Sequence, residues 1–291
     1  MADVGVAIST KDRPEALARC LASLAAGPVR PVHVVVADQG AGNETRQLVS
    51  RFGEGLDLRY VRAREGGLGV AQNDAVRATD SDVVAILDDD CVAEPEWIAA
   101  VARAFDDREL GLLSGPVLPL GEDEPGRYAV ATRTSMERRR LDAETLPWDA
   151  GSGNNFAVRR SWFDRIGGCD ERLGPGAPGR GGLDMDLFRR LLRAGAHGLY
   201  EPDAVVFHER TTAAGRRERR MPYGYGMGAC CVLWLRQGDR KGMSVLGRWV
   251  SMRSNRLARS LVRGRLDAVR EEALVLSGTV RGIGYGLRAR S

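Results

Sequence analysis

The stretch VVAILDDDCVAEPEW, Val83 to Trp97, drives an apolar run straight into three adjacent aspartates, Asp88, Asp89 and Asp90, with Pro95 close behind. The apolar run reads as a buried strand bounded by a turn signal. Like charges side by side repel, and desolvating a carboxylate is costly unless something positive compensates it. A cation is therefore expected where this strand ends.

Working outward toward the N-terminus, Val4, Val6 and Ile8 begin a short strand that ends at Ser9 and Thr10. Pro14 opens PEALARCLASLAA, where Leu17, Leu21 and Leu24 recur at helical spacing behind a first-turn proline. VHVVVA (32–37) is a strand ending at Asp38, followed by the helix NETRQLVSRF, the strand LDLRYV, the helix GVAQNDAVRAT and the strand DVVAIL (82–87). Strands alternating with helices of about ten residues imply a parallel sheet with helical crossovers. Ligands of such sheets sit beyond the carboxyl ends of the strands. Ser9, Thr10, Asp38 and Asp88 to Asp90 should therefore share one rim, where a carboxylate triplet is a candidate metal site. The alternative is a set of capping carboxylates at a strand-to-helix turn.

Beyond the helix EPEWIAAVARAF the rhythm changes. LGLLSGPVLPL is strand-like, 119–150 is irregular, and GSGNNFAVRRSWFDRIGG gives a glycine turn, a short strand and a short helix. GLDMDLFRRLLRAG (182–195) is a helix with Leu187, Leu191 and Leu192 on one face, and YEPDAVVFHER is one last strand ending at His208. The chain has 291 residues, 43% hydrophobic and 28% charged, and its net charge of +4 is too mild to point to nucleic acid. No apolar run approaches the ~20 residues that span a bilayer, and MADVGVAISTKDRPE lacks the pattern of a signal peptide. Five scattered cysteines without a C-x-x-C pair fit buried apolar side chains in a reducing, cytoplasmic setting.

Asp88-x-Asp90 with His208 offers carboxylate oxygens and an imidazole, donors that suit Mn2+ or Mg2+. Asp184 and Asp186, two residues apart on a helix, face different directions, so one of them can serve a site as general base. Plain stabilisation of the helix N-terminus is the other reading of both. GGLGVAQ (66–72) is not a dinucleotide fingerprint, because it follows the third strand and carries Gln72 where a third glycine is needed. RTTAAGRRERR (210–220) is either a solvated basic loop or a mobile flap whose arginines, Arg216 among them, close over a diphosphate.

Taken in order, VAISTKDRPEALARCLASL, VVVADQG, GGLGVAQNDAVRATDSDVVAILDDDCVAEPEW, GSGNNFAVRRSWFDRIGGCDERL, GLDMDLFRRLLRAG and PDAVVFHE resemble the family 2 glycosyltransferases of GT-A fold across residues 4–210. The resemblance implies an α/β, Rossmann-like, mostly parallel sheet flanked by helices. It also implies an inverting, metal-dependent transfer of a sugar from a nucleoside-diphosphate donor, UDP-sugar first and dTDP- or GDP-sugar as alternatives. By the same resemblance Ser9, Thr10, Arg13, Asp38, Asp88, Asp89 and Asn155 bind the donor, and Asn154, Asn155, Arg159 and Arg160 belong to the segment lining the sugar and acceptor pocket. Asp90 and His208 then hold Mn2+ or Mg2+, and Asp184 takes the place of the catalytic carboxylate. The chain departs from the family pattern at Leu183, where a glutamate is frequent, at Gln72, and at Gln39 after Asp38.

The expected organisation is a GT-A domain over 1–210, divided near 118 into a nucleotide-binding and an acceptor half, a flexible basic flap over 211–235, and a helical extension over 236–291. In the extension Leu246, Val250, Leu257, Leu261 and Leu266 suggest an apolar stripe among many arginines. It either packs on the catalytic domain with its basic face in water, or holds the protein against the anionic inner membrane face, as suits a lipid-linked acceptor. A small molecule or a glycan is an equal acceptor candidate. A phosphatase of haloacid dehalogenase type and a non-catalytic sugar- or metal-binding module are the rival functions.

Overall fold

The computed structural model describes residues 1–53 and 55–289. Its first half alternates strand and helix: β1 (Val4–Thr10), α1 (Pro14–Ala26), β2 (Val34–Asp38), α2 (Glu44–Arg51), β3 (Leu58–Arg62), α3 (Leu68–Arg77), β4 (Val83–Asp88), β5 (Cys91–Ala93) and α4 (Trp97–Ala104). Then come β6 (Leu110–Ser114), β7 (Val117–Pro119), β8 (Arg127–Tyr128), β9 (Arg139–Leu141), α5 (Pro147–Ala150), β10 (Asn155–Arg159), α6 (Arg160–Arg165) and α7 (Leu183–Arg193). β11 (His197–Tyr200), β12 (Val206–His208), β13 (Thr211–Thr212), α8 (Ala213–Glu218), α9 (Arg220–Arg236), α10 (Lys241–Val262) and α11 (Leu266–Arg288) complete the chain.

Eight strands form one sheet in the order β3-β2-β1-β4-β10-β6-β11-β9. β3, β2, β1 and β4 run parallel, and β10 reverses the direction between β4 and β6. The chain winds one way from β1 to β2 and the other way to β4, so a crevice opens beyond the ends of β1 and β4. Ser9 and Asp88 are register partners at that crevice. β1, β2 and β4 are apolar on both faces because both are covered. Leu17 and Leu21 of α1 and Trp97 of α4 pack with Val6 and Ile8 on one side, while Ala75, Leu187 and Met227 pack with Val35 and Val84 on the other. All five cysteines are free and buried.

The single strand expected over YEPDAVVFHER is two. β11 stays in the main sheet, and β12 joins β5 and β7 in a small second sheet. Pro202 lies between them and has no N–H to give to a ladder. The 211–235 segment, expected as a flexible basic flap, begins with β13 and is helical from Ala213 on. Thr212 caps α8 by accepting a 3.1 Å hydrogen bond from Gly215 N, and α9 runs unbroken to Arg236. Glycine makes this helix possible as a packing element. A Cβ at Gly224 or Gly228 of α9 would collide with the carbonyls of Val275 and Thr279 on α11, and one at Gly282 with that of Tyr225. The two helices therefore meet backbone to backbone.

The extension also differs from expectation in which face it buries. α10 packs chiefly through Gly242, Val245, Trp249 and Arg253, and of the expected apolar stripe Leu246 joins that contact while Val250 and Leu261 are exposed. Trp249 Nε1 donates to Thr279 Oγ1 at 3.0 Å, and Arg253 pairs with Glu272 at 3.3 Å, so α10 is fastened to α11 by polar contacts inside an apolar seam. Among the described residues no helix is long and apolar enough to cross a membrane.

Candidate active site

The end of β4 carries Asp88, and a two-residue turn places Asp89 and Asp90 before β5. The three carboxylates take different surroundings. Asp89 turns inward, is fully buried, and accepts a 2.7 Å hydrogen bond from Thr10 Oγ1. Arg13, at the N-cap of α1, reaches back and pairs with Asp89 at 2.6 Å and with Asp90 at 2.8 Å. Part of the positive charge the sequence asked for is therefore this guanidinium. Burial works against its charge, but Asp89 and Asp90 outweigh that and hold its pKa above the ordinary value.

The guanidinium does not satisfy the triplet. Burial, reinforced by Asp90 and Asp89, pushes Asp88 well above the usual carboxylate range. Burial raises Asp89 to about 6 despite Arg13. One oxygen of Asp90, Oδ1, is buried with no hydrogen-bond donor among the described residues.

β12 supplies what faces that oxygen. It pairs antiparallel with β5, His208 opposite Cys91, and the amide of Glu209 donates to the Asp90 carbonyl at 3.1 Å. His208 Nδ1 lies 2.7 Å from the Glu209 carbonyl, which can only accept, so Nδ1 carries the proton. Nε2 then presents a lone pair, 3.4 Å from Asp90 Oδ1. Burial holds the His208 pKa below its ordinary value, with Arg219 and Arg13 acting in the same direction, and the ring is neutral near pH 7. Two lone pairs facing each other in a buried place fit a divalent cation between them, with Nδ1 anchored as in metal-bound histidines. Ligand atoms of Asp90, Cys91 and His208 lie within 4.8 Å of one another. Burial beside the aspartates drives the Cys91 thiol pKa far up.

Around this centre the other expected residues separate into two groups. Asp184, in the first turn of α7, accepts a 3.0 Å hydrogen bond from the amide of Gly153 and adds to the negative field at Asp88. Asp186 points the other way into the core, held by Arg190 at 2.7 Å and Trp234 Nε1 at 2.8 Å. Asp38 is buried at the end of β2 and accepts from Gly40 N at 2.7 Å and Tyr60 Oη at 3.0 Å. Beside it a cleft of about 280 Å³ is lined by Asp12, Pro14, Gly40, Gly42, Glu44 and Thr45. A Cβ at Gly40 would stand 2.7 Å from Asp12 and 2.9 Å from Asp38, so only glycine fits. Ser9 Oγ is buried without a hydrogen-bond partner among the described residues.

Asn155 does not reach the rim. Its amide donates to the carbonyls of Pro116 at 2.9 Å and Ala204 at 2.8 Å, and its oxygen accepts from Trp97 Nε1 at 2.9 Å. It is a strut between β10, α4 and the link to β12. Its neighbour Asn154 is only 3% exposed, and neither of its amide atoms has a hydrogen-bond partner among the described residues. Asn155 pairs with Leu87, so Asn154 comes abreast of Asp88. Arg216 also lies elsewhere than expected, paired with Glu271 at 2.9 Å and stacked over Tyr128. Arg219, three residues on, is the arginine of this run that acts on His208, and sequence reading passed over it. Arg159 and Arg160 bond backbone carbonyls at Leu110 and Thr79, and so serve packing. The N-terminus of α3, at the rejected glycine motif, is closed by the Pro175 carbonyl, which accepts from Leu68 N at 2.9 Å.

Fold and rim together define an α/β protein with a carboxylate–imidazole cluster at the topological switch point of its sheet. The pattern described as Glycosyl transferase family 2 matches residues 5–167, and the chain belongs to that family. It is 29% identical over 252 residues to the pre-mycofactocin glycosyltransferase of Mycobacterium tuberculosis, a match covering 84% of this chain and 50% of that protein. The chain thus spans about half the length of that relative. It is 31% identical over 242 residues to the N-acetylglucosaminyl-diphospho-decaprenol L-rhamnosyltransferase of the same organism, covering 72% of this chain and 77% of the other. Among solved structures, the mannosyltransferase PcManGT from Pyrobaculum calidifontis, in complex with GDP-Man and Mn2+, superposes with a TM-score of 0.67 at 17% identity, over 97% of this chain and 87% of that one. That likeness is one of fold.

Proposed function

We propose that the chain is a metal-dependent, inverting glycosyltransferase that moves a sugar from a nucleoside-diphosphate donor, UDP-sugar first and GDP- or dTDP-sugar next, to an acceptor hydroxyl. The observation that carries this reading is the buried Asp90 oxygen facing the His208 lone pair, with Asp184 on the same rim. Asp90 and His208 would hold Mn2+ or Mg2+, and the ion bound there would supply Lewis-acid stabilisation of the leaving diphosphate. A structural neighbour that holds GDP-Man with Mn2+, and relatives named as glycosyltransferases, support the same reading.

The chain's own groups divide the remaining work. Asp184 takes the proton of the acceptor hydroxyl as its oxygen bonds to the anomeric carbon and the carbon–diphosphate bond breaks. A single displacement from the face opposite the leaving group inverts the anomer. The Gly153 amide keeps one Asp184 oxygen occupied and so fixes which oxygen faces the acceptor. The cleft beside Asp38 takes the nucleoside, and Asn154 offers its free amide to the sugar hydroxyls. Arg219, whose charge is felt at His208, would meet the diphosphate oxygens.

Calorimetric titration with UDP, GDP and dTDP, each with and without Mn2+, tests the reading. Metal-dependent binding of one nucleotide that Asp90→Ala abolishes is the expected result. Absence of nucleotide binding under both conditions would remove the transferase reading. A pure sugar- or metal-binding module would bind its ligand yet be indifferent to Asp184→Asn in every assay.

A further inference from the structure

α10 and α11 form a hairpin whose tip carries no buried residue from 254 to 266, and α11 first pairs with the body at Asp267. Packing stops at Arg253 on one helix and resumes at Glu272 on the other. The apex is apolar, with Val262 89% exposed, Leu266 66% and Leu261 54%. Around it stand Arg256, Arg259, Arg263 and Arg265, and the whole stretch 240–266 holds eight basic residues and no acidic one. Arg256, Arg263 and Arg265 have no carboxylate partner among the described residues.

We infer that this tip docks on an anionic phospholipid bilayer. Water gives no reason to display three large apolar side chains at an apex, but the headgroup–acyl boundary does, while arginines at the same depth meet lipid phosphates. A second copy of the chain is disfavoured as occupant, because two such tips repel through the same arginines. Nucleic acid would answer the charge and leave Leu261, Val262 and Leu266 in water.

The base of the hairpin is joined to the catalytic rim. Asp267 pairs with Arg217 at 3.8 Å and Glu271 with Arg216 at 2.9 Å, which fixes α11 to α8, the helix capped by Arg219, whose charge is felt at His208. A bilayer at the tip thus lies on the side of α8. This gives the arginine run a use other than a flap: it couples the docking element to the rim. The inference rests on the transferase reading only for its purpose, since a membrane-held, lipid-linked acceptor would then be delivered near Asp184.

Co-sedimentation of the full chain with phosphatidylcholine vesicles, with and without phosphatidylglycerol, tests docking independently of catalysis. Binding is expected only to the anionic vesicles and should weaken as salt rises. Replacing the apex together, as Leu261→Ser, Val262→Ser and Leu266→Ser, should reduce binding by about tenfold or more. Arg256→Gln with Arg263→Gln and Arg265→Gln should do the same. Nucleotide affinity, measured on the same samples, should match wild type in both variants, which separates failure of docking from failure of the donor site. No binding, equal binding to neutral vesicles, or an apex variant that binds like wild type would each overturn the proposal, the last in favour of a general polyanion contact.

Discussion

Asp90 Oδ1 and His208 Nε2 face each other at 3.4 Å, and the other ring nitrogen of His208 lies 2.7 Å from the Glu209 carbonyl. The two residues are 118 positions apart and are brought together because β12 pairs with β5. The proposed cation site follows from this meeting of an oxygen and a nitrogen donor.

On the proposed reading, the role of Asp184 is chemical and not structural. Among the described residues its carboxylate holds only the Gly153 amide, so Asp184→Asn keeps that contact and removes the base. We expect kcat to fall by about 10²–10⁴-fold, with nucleotide affinity and thermal stability unchanged. A variant with wild-type turnover would show that another group takes the proton.

Asn154 and Asn155 should behave as opposites despite being identical neighbours. Asn155→Ala orphans the indole of Trp97 and two buried carbonyls, and about 1–3 kcal/mol of stability should be lost for each group left unsatisfied. Asn154→Ala removes an amide with nothing to lose, so urea unfolding should be near wild type while KM for the donor rises. The reverse pattern in unfolding and kinetics would contradict the placement.

The α9–α11 contact makes Gly282 a stability position far from the chemistry. Gly282→Val forces side-chain atoms against the Tyr225 carbonyl, and a loss of about 1–3 kcal/mol is expected from denaturant midpoints. A variant as stable as wild type would mean that the helices separate at no cost.

Asp89 gives a pH signature. Burial raises its pKa to about 6, above the ordinary carboxylate value of about 4. The folded state therefore holds this proton more tightly than the unfolded state does. Its favourable contribution is complete below about pH 4 and is lost as pH rises through about 6. In chelator, wild type should lose stability relative to Asp89→Asn as pH goes from 4 to 7, and thermal melts of the pair check this. A constant difference between them would show that Asp89 is ionised throughout.

Much of the fold was legible because β1, β2 and β4 are uninterrupted apolar runs between amphipathic helices, and a parallel sheet covered on both faces requires that pattern. The rim was legible for the same reason, since Asp38 and Asp88 end those strands. What the sequence did not disclose depends on register and long-range contact. Which of Asn154 and Asn155 faces the core is decided by pairing with Leu87, and adjacent strand residues give no local hint. Arg13 meets Asp89 from 76 residues away, so a counter-charge built into the chain was invisible beside an expected metal. Arg216 and Arg219 differ only in their positions on α8 and at its end. The glycines of α9 and α11 looked like flexibility and turned out to be contact surfaces.

The most direct test of the central claim is electron paramagnetic resonance titration of Mn2+ into the apoprotein and into Asp90→Ala and His208→Ala, each with and without the nucleotide that calorimetry selects. The account predicts one bound Mn2+ in wild type, tightened by nucleotide, and loss of that ion in both variants. Mn2+ bound equally by all three proteins, or by none of them, would contradict a cation between Asp90 and His208.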